Sequence, residues 1–226
     1  MTDHTVKAYD EELDLIGANI AEMGGIAERM LVDAMDALSK LDIELAKRVV
    51  NSDPRLDTLQ REIEDQIVRT IIRRQPVAGD LRELMASIHI AGDLERTGDL
   101  AKNIAKRAIK VADNPRVMRA VVGLKHMAEV AATQLKDVLD AYAQRDVERA
   151  KAVWSRDAEL DALDDSIFRD LLTFMMEDPR NISFCTHLLF CAKNLERVGD
   201  HATNIAENVH FMVSGASLPM NRPKGE

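Results

Sequence analysis

Four pairs of carboxylates are set apart by their spacing: Asp53 and Asp57, Glu95 and Asp99, Asp157 and Asp161, and Glu196 and Asp200. The members of each pair are four residues apart, so on a helix they stand one above the other on a single face. Like charges stacked in this way destabilise an isolated helix by a few tenths of a kcal/mol. A sequence that keeps four such pairs calls for an offsetting partner, and a cation is the partner that fits. An all-oxygen donor set favours hard ions such as Mg²⁺, Mn²⁺, Ca²⁺ or iron over Zn²⁺, which it still admits. The competing reading is a solvated acidic face with Arg55, Arg96, Lys102 and Arg197 as partners.

The pairs belong to an internal duplication. A shift of 104 positions aligns Met23–Leu59 with Met127–Leu163 without a gap, and Asp53, Leu56 and Asp57 fall on Asp157, Leu160 and Asp161. Beyond that stretch the shift falls to 101, where "DLERTGDLAKNIAKRA" from Asp93 aligns with "NLERVGDHATNIAENV" from Asn194. Punctuation divides each half into three helices. In the first, an amphipathic run from about Tyr9 stops near Ser39, and Asp42 caps the second run. "QPVAGD" then breaks the chain, and Asp80 with Glu83 fits a capping box opening the third helix. Asp113 or Asn114, followed by Pro115, opens the second half, which repeats the plan with Asp146 as a cap and "EDPRNIS" as the break. The expected fold is all-α, with six helices in two homologous three-helix bundles. The first spans residues 1–113 and the second 114–214, and a mobile tail covers 215–226.

Composition agrees with this plan. Hydrophobic residues make up 46% and aromatics only 4%, with ten glycines and six prolines, which suits an aliphatic helical core and leaves little material for strands. A net charge of −9 with no basic cluster excludes a nucleic-acid binder. No run approaches the roughly eighteen apolar residues of a membrane span, and the acidic N-terminus is unlike a signal peptide, so a cytoplasmic location is expected. Cys185 and Cys191 fall on different faces of one helix and read as reduced core thiols.

The helices that carry the motif have a seam and a flank. Ala91, Gly98 and Ala105, like Ala192, Gly199 and Ala206, place a small residue at every seventh position and allow a close neighbour. Glu95 and Asp99 stand at the edge of that seam with Asn103 continuing the row, as do Glu196, Asp200 and Asn204. The mean position of Asp53, Asp57, Glu95 and Asp99 is 76, which is Pro76 in the first break; the second set centres at 178.5, beside Pro179. Residues equidistant from the turn of an antiparallel hairpin lie side by side, so each half brings four carboxylates to one level. Glu207 adds a carboxylate in the second half where the first has Lys106, which makes the second site the tighter or larger one. Glu207 and His210 form one Glu-x-x-His, whereas ferritin-like bundles use two, so that spacing is taken as chance. His201, directly after Asp200, is a candidate ligand or supporting group. Trp154 and the methionines read as core. No phosphate loop, nucleophile motif or dinucleotide fingerprint is present, and no enzyme activity is expected.

These residues resemble the PhoU family of phosphate-specific transport accessory proteins. The likeness runs from "YDEELDLI" and "EMGGIAERML" through the segment from Gln75 to Ala108 to "EDPRNISFCTHLLFCAKNLERVGDHATNIAENV". It implies pseudo-twofold symmetry between the bundles. It also implies multinuclear metal clusters on the Glu/Asp-x-x-x-Asp motifs, here Asp53, Asp57, Glu95 and Asp99 in one half and Asp157, Asp161, Glu196 and Asp200 in the other. Its functional implication is a negative regulator of phosphate uptake and of the phosphate regulon. Such a regulator bridges the ATPase subunit of the Pst transporter and the PAS domain of the sensor histidine kinase PhoR, works as a homodimer, and meets the membrane only through its partners. The alternative is a carboxylate-bridged metal-binding or metal-storage bundle.

Overall fold

The computed structural model describes residues 2–114 and 121–219, apart from the side chains of residues 2–8 and 157. Among the described residues seven α-helices follow one another: α1 (Thr2–Lys40), α2 (Ile43–Arg74), α3 (Ala78–Val111), α4 (Val122–Gln144), α5 (Val147–Trp154), α6 (Asp157–Glu177) and α7 (Ile182–Ser214). A 3₁₀ turn, Pro179–Asn181, precedes α7. The first half packs α1, α2 and α3 on one another; in the second, α5 and α6 together take the place of α2. The halves meet like with like, α3 against α7 and α1 against α4, as a twofold axis between them requires. One continuous aliphatic core runs through both. Among the described residues no helix is long and apolar enough to cross a membrane.

The duplication persists in the details of the turns. Leu41 and Arg145 are equivalent and both left-handed, at φ 54° and 53°. The next residue caps a helix in each half: Asp42 accepts from the backbone N–H of Leu45, and Asp146 from those of Glu148 and Arg149. The seam is also shared. A Cβ placed on Gly98 would lie 2.1 Å from Leu56 Cδ1, and one on Gly199 would lie 2.3 Å from Leu160 Cδ1. Glycine at both positions lets the hairpin helices approach closely.

Four expectations change or fall outside view. The third helix opens at Ala78 with Val77 before it and no side-chain cap, so Asp80 sits inside the first turn. There it meets the helix dipole and stands beside the Tyr9 hydroxyl, whose pKa burial, and then Asp80, push up to about 12. The second helix of the second half is broken at Ser155 and Arg156. The fully buried Gln134 donates to the Arg156 carbonyl at 3.2 Å, and Arg156 reaches Asp137, so the break is held by polar partners. The first half has Met30 at the equivalent of Gln134 and runs on unbroken through Pro54. Pro115 lies outside the described residues, as do residues 220–226 of the tail. The start of the tail turns back: Gly215 closes α7 at φ 74°, His210 Nδ1 donates to the Ala216 carbonyl at 2.8 Å, and Leu218 packs on the core. Both cysteines are buried free thiols, and burial pushes the Cys191 pKa up to about 12.

Candidate functional site

The first hairpin brings its carboxylates to one level. Burial raises the Glu95 pKa, and the charges of Asp99, Asp57 and Asp53 raise it further against the opposing Arg96. A single side chain on α3 is thus within electrostatic reach of both residues of the α2 pair. Lys102 stands among them, its Nζ donating to Asp53 Oδ2 at 2.7 Å and to Asp99 Oδ1. The lysine side chain is 19% exposed and that of Asp53 12%, so the contact is largely withdrawn from water. Arg55 is engaged with Glu22 instead, at 2.7 Å. Asn103 is exposed on α3.

The second hairpin gathers a different set. Glu196 and Asp200 on α7 share a neighbourhood with Asp161 and with Asp164, which the sequence reading missed. Burial raises the Asp164 pKa, Lys193 opposes the rise, and Glu196, Asp165 and Asp161 add to it. Lys193 Nζ pairs with Glu196 Oε1 at 2.7 Å, but from one turn up the same helix and with 58% of its side chain exposed. The other oxygen, Glu196 Oε2, is shielded from solvent and receives no hydrogen bond among the described residues. The side chain of Asp157 lies outside the described residues. Asp164 and Lys193 escaped notice because their first-half counterparts, Gln60 and Gly92, carry no charge. A position-by-position comparison of the halves is the signal that finds them.

Three other candidates take separate places. Glu207 lies seven residues beyond Asp200, about 10 Å along the helix. It accepts a hydrogen bond from Trp154 Nε1 at 3.2 Å; the equivalent positions in the first half are Lys106 and Val50. His201 is buried at the seam between the halves, with its Nδ1 2.9 Å from Asp93 Oδ1; Asn204 donates to the same oxygen at 3.4 Å. Both serve the contact between α3 and α7.

Among the described residues, no three carboxylate, imidazole or thiol groups are close enough to enclose an ion as they stand. Binding therefore requires carboxylates to swing inward. The second half suits a hard cation in donor chemistry, because it offers oxygens only, one of them a buried acceptor left undonated, and its lysine is exposed and displaceable. In the first half a largely shielded ammonium already stands between the helices.

A family model described as the PhoU domain matches the chain twice, over residues 20–108 and 124–209. The chain is 53% identical over 223 residues to the phosphate-specific transport system accessory protein PhoU homolog of Rhizobium meliloti (strain 1021), across 99% of this chain and 94% of that one. It is 52% identical over 224 residues to the protein of the same description from Caulobacter vibrioides (strain NA1000 / CB15N), across 99% and 97%. The crystal structure of PhoU from Pseudomonas aeruginosa matches the fold with a TM-score of 0.89 at 36% identity, covering 92% of this chain and all of that one.

Proposed function

The chain belongs to the PhoU family, and from that premise we propose that it is a non-catalytic regulator of phosphate uptake. The observation that carries this reading is identity of about half the residues over essentially the full length of relatives named as accessory proteins of phosphate-specific transport. In the proposed role it couples the ATPase subunit of the Pst transporter to the PAS domain of the sensor kinase PhoR. When phosphate is plentiful it restrains uptake and keeps the phosphate regulon off. It works on the cytoplasmic side, as a homodimer, and reaches the membrane through its partners.

The proposal includes a cation site in the second half. Asp161, Asp164, Glu196 and Asp200 would hold it, with Asp157 at the N-terminus of α6, and Glu207 would mark a neighbouring position beside Trp154. A divalent ion there supplies charge neutralisation across the α6–α7 hairpin. The chain's own part is to bring carboxylates from two helices to one level and to leave Glu196 Oε2 shielded and available.

Deletion of the gene, with complementation by wild type or by Glu196→Gln/Asp200→Asn, tests the role. Deletion is expected to raise phosphate uptake and starvation-gene expression in phosphate-rich medium, and purified protein is expected to retain the Pst ATPase and the PhoR PAS domain on a column. Unchanged uptake together with no retention of either partner contradicts the reading. Trp154 is the single tryptophan of the chain. Quenching of its fluorescence by Mn²⁺, lost in Glu196→Gln/Asp200→Asn, is the expected sign of the ion; a spectrum unmoved by Mn²⁺ contradicts it.

A further inference from the structure

We propose that Lys102 is a resident cation in the first half, so that the carboxylates of the α2–α3 hairpin take no metal ion and an ion bound by the chain goes to the α6–α7 hairpin; the second clause rests on the metal reading given above. An ion that bridged α2 to α3 through Asp53 and Asp99 would have to stand between these two carboxylates. The ammonium of Lys102 is there, 2.7 Å from Asp53 and hydrogen-bonded to Asp99, on a side chain only 19% exposed. A metal entering this place must first expel a largely shielded ammonium that has two carboxylate partners.

The second half differs at this very position. The equivalent of Lys102 is Thr203, which is fully buried and donates its hydroxyl proton to the Gly199 carbonyl at 3.0 Å within its own helix. It brings no charge to the carboxylates. Lys193 enters from the solvent side as an exposed partner within one helix, the kind of pair that contributes little and yields easily. The lysine has thus been placed differently in the two copies: buried between helices in one, peripheral in the other.

The test uses the full chain, Mn²⁺ alone as the probe, and the thermal unfolding midpoint in EDTA and in Mn²⁺ as the readout. With the second site disabled by Asp161→Asn/Asp200→Asn, Mn²⁺ is expected to leave the midpoint unchanged. A Mn²⁺-dependent rise that a further Asp57→Asn removes would overturn the inference. Adding Lys102→Thr in that disabled background is expected to lower the midpoint in EDTA by about 5–10 °C, with Mn²⁺ restoring at least half of the loss. Lys102→Met, which keeps the buried stem and drops the ammonium, serves if the threonine variant does not fold. Absence of Mn²⁺ rescue in whichever of the two folds overturns the inference. Wild type that shows no Mn²⁺ response, while Lys102→Thr gains one, would defeat the metal reading of the second half and leave the role of Lys102 standing.

Discussion

The two halves share a backbone plan down to left-handed residues at equivalent turns, yet they resolve the same electrostatic problem differently. In the first, Lys102 is half-buried between Asp53 and Asp99. In the second, Thr203 occupies that position and Lys193 touches Glu196 from outside. The apolar seam, by contrast, is kept alike, with Gly98 against Leu56 and Gly199 against Leu160. Packing tolerates little change because every methylene in a dense core is felt. A charge on the flank of a hairpin can be moved to another helix turn, or left to an ion, without altering the fold. Duplication followed by divergence on the flank gives one half with a lysine ammonium between its two helices and one with a threonine hydroxyl at the same position.

The largest effect should come from breaking this difference directly. Lys102→Met leaves the buried Asp53 uncompensated among Asp57, Glu95 and Asp99, and a loss of about 3–5 kcal/mol is expected in urea unfolding. Thr203→Val at the equivalent position should cost about 1 kcal/mol, the scale of one ordinary hydrogen bond. Equal losses at the two positions would erase the distinction drawn here.

Substitution of the seam should affect both halves alike. Gly98→Ala and Gly199→Ala each force a buried leucine to move, at about 1–3 kcal/mol, and alanine returns up to about 1 kcal/mol through helix propensity. A net loss near 1 kcal/mol is expected at both positions. The capping variants Asp42→Ala and Asp146→Ala should likewise match each other, at about 1 kcal/mol each. A mismatch between halves in either pair would show that the asymmetry reaches beyond the flank.

The smallest effect concerns pH. Glu95 and Asp164 have pKa values raised above their ordinary ones, first by burial. A carboxylate with a raised folded pKa binds its proton more readily in the folded state, so its ionisation destabilises the protein above that pKa and the penalty vanishes below the unfolded value. Glu95→Gln should therefore stabilise by less than about 1 kcal/mol at pH 8, and the gain should shrink as pH falls into the carboxylate range. Lys102 runs the other way. Its folded pKa, about 12, is above the unfolded one, so its contribution is complete below the unfolded pKa and disappears as pH rises towards 12. Alkaline unfolding that sets in at the same pH in Lys102→Met as in wild type would contradict this.

Much of the architecture was legible because its signals are local or arise from the duplication itself. Asp42 and Asp146 cap as their positions suggested, and the distance to Pro76 placed the α2 and α3 carboxylates of the first hairpin within reach of one another. The break at Ser155–Arg156 was not legible, because it depends on Gln134 of another helix meeting the Arg156 carbonyl. Asp80 misled because a capping box and an acidic residue in the first turn differ only in where the chain leaves its extended conformation, and Val77 does so three residues earlier than a capping Asp80 requires. Lys102 was visible only as one of four basic neighbours; its burial against Asp53 is a tertiary fact. His201, read as a candidate ligand or supporting group, turned out to face Asp93 across the seam between the halves, a contact no periodicity within one helix reveals.

Hydrogen exchange of the full chain with and without Mn²⁺, compared between wild type and the exchanged variant Lys102→Thr/Thr203→Lys, tests the difference between the halves most directly. The account predicts that Mn²⁺ slows exchange in α6 and α7 of wild type and leaves α2 and α3 unchanged, and that the variant reverses this pattern. Protection of α2 and α3 by Mn²⁺ in wild type would contradict it.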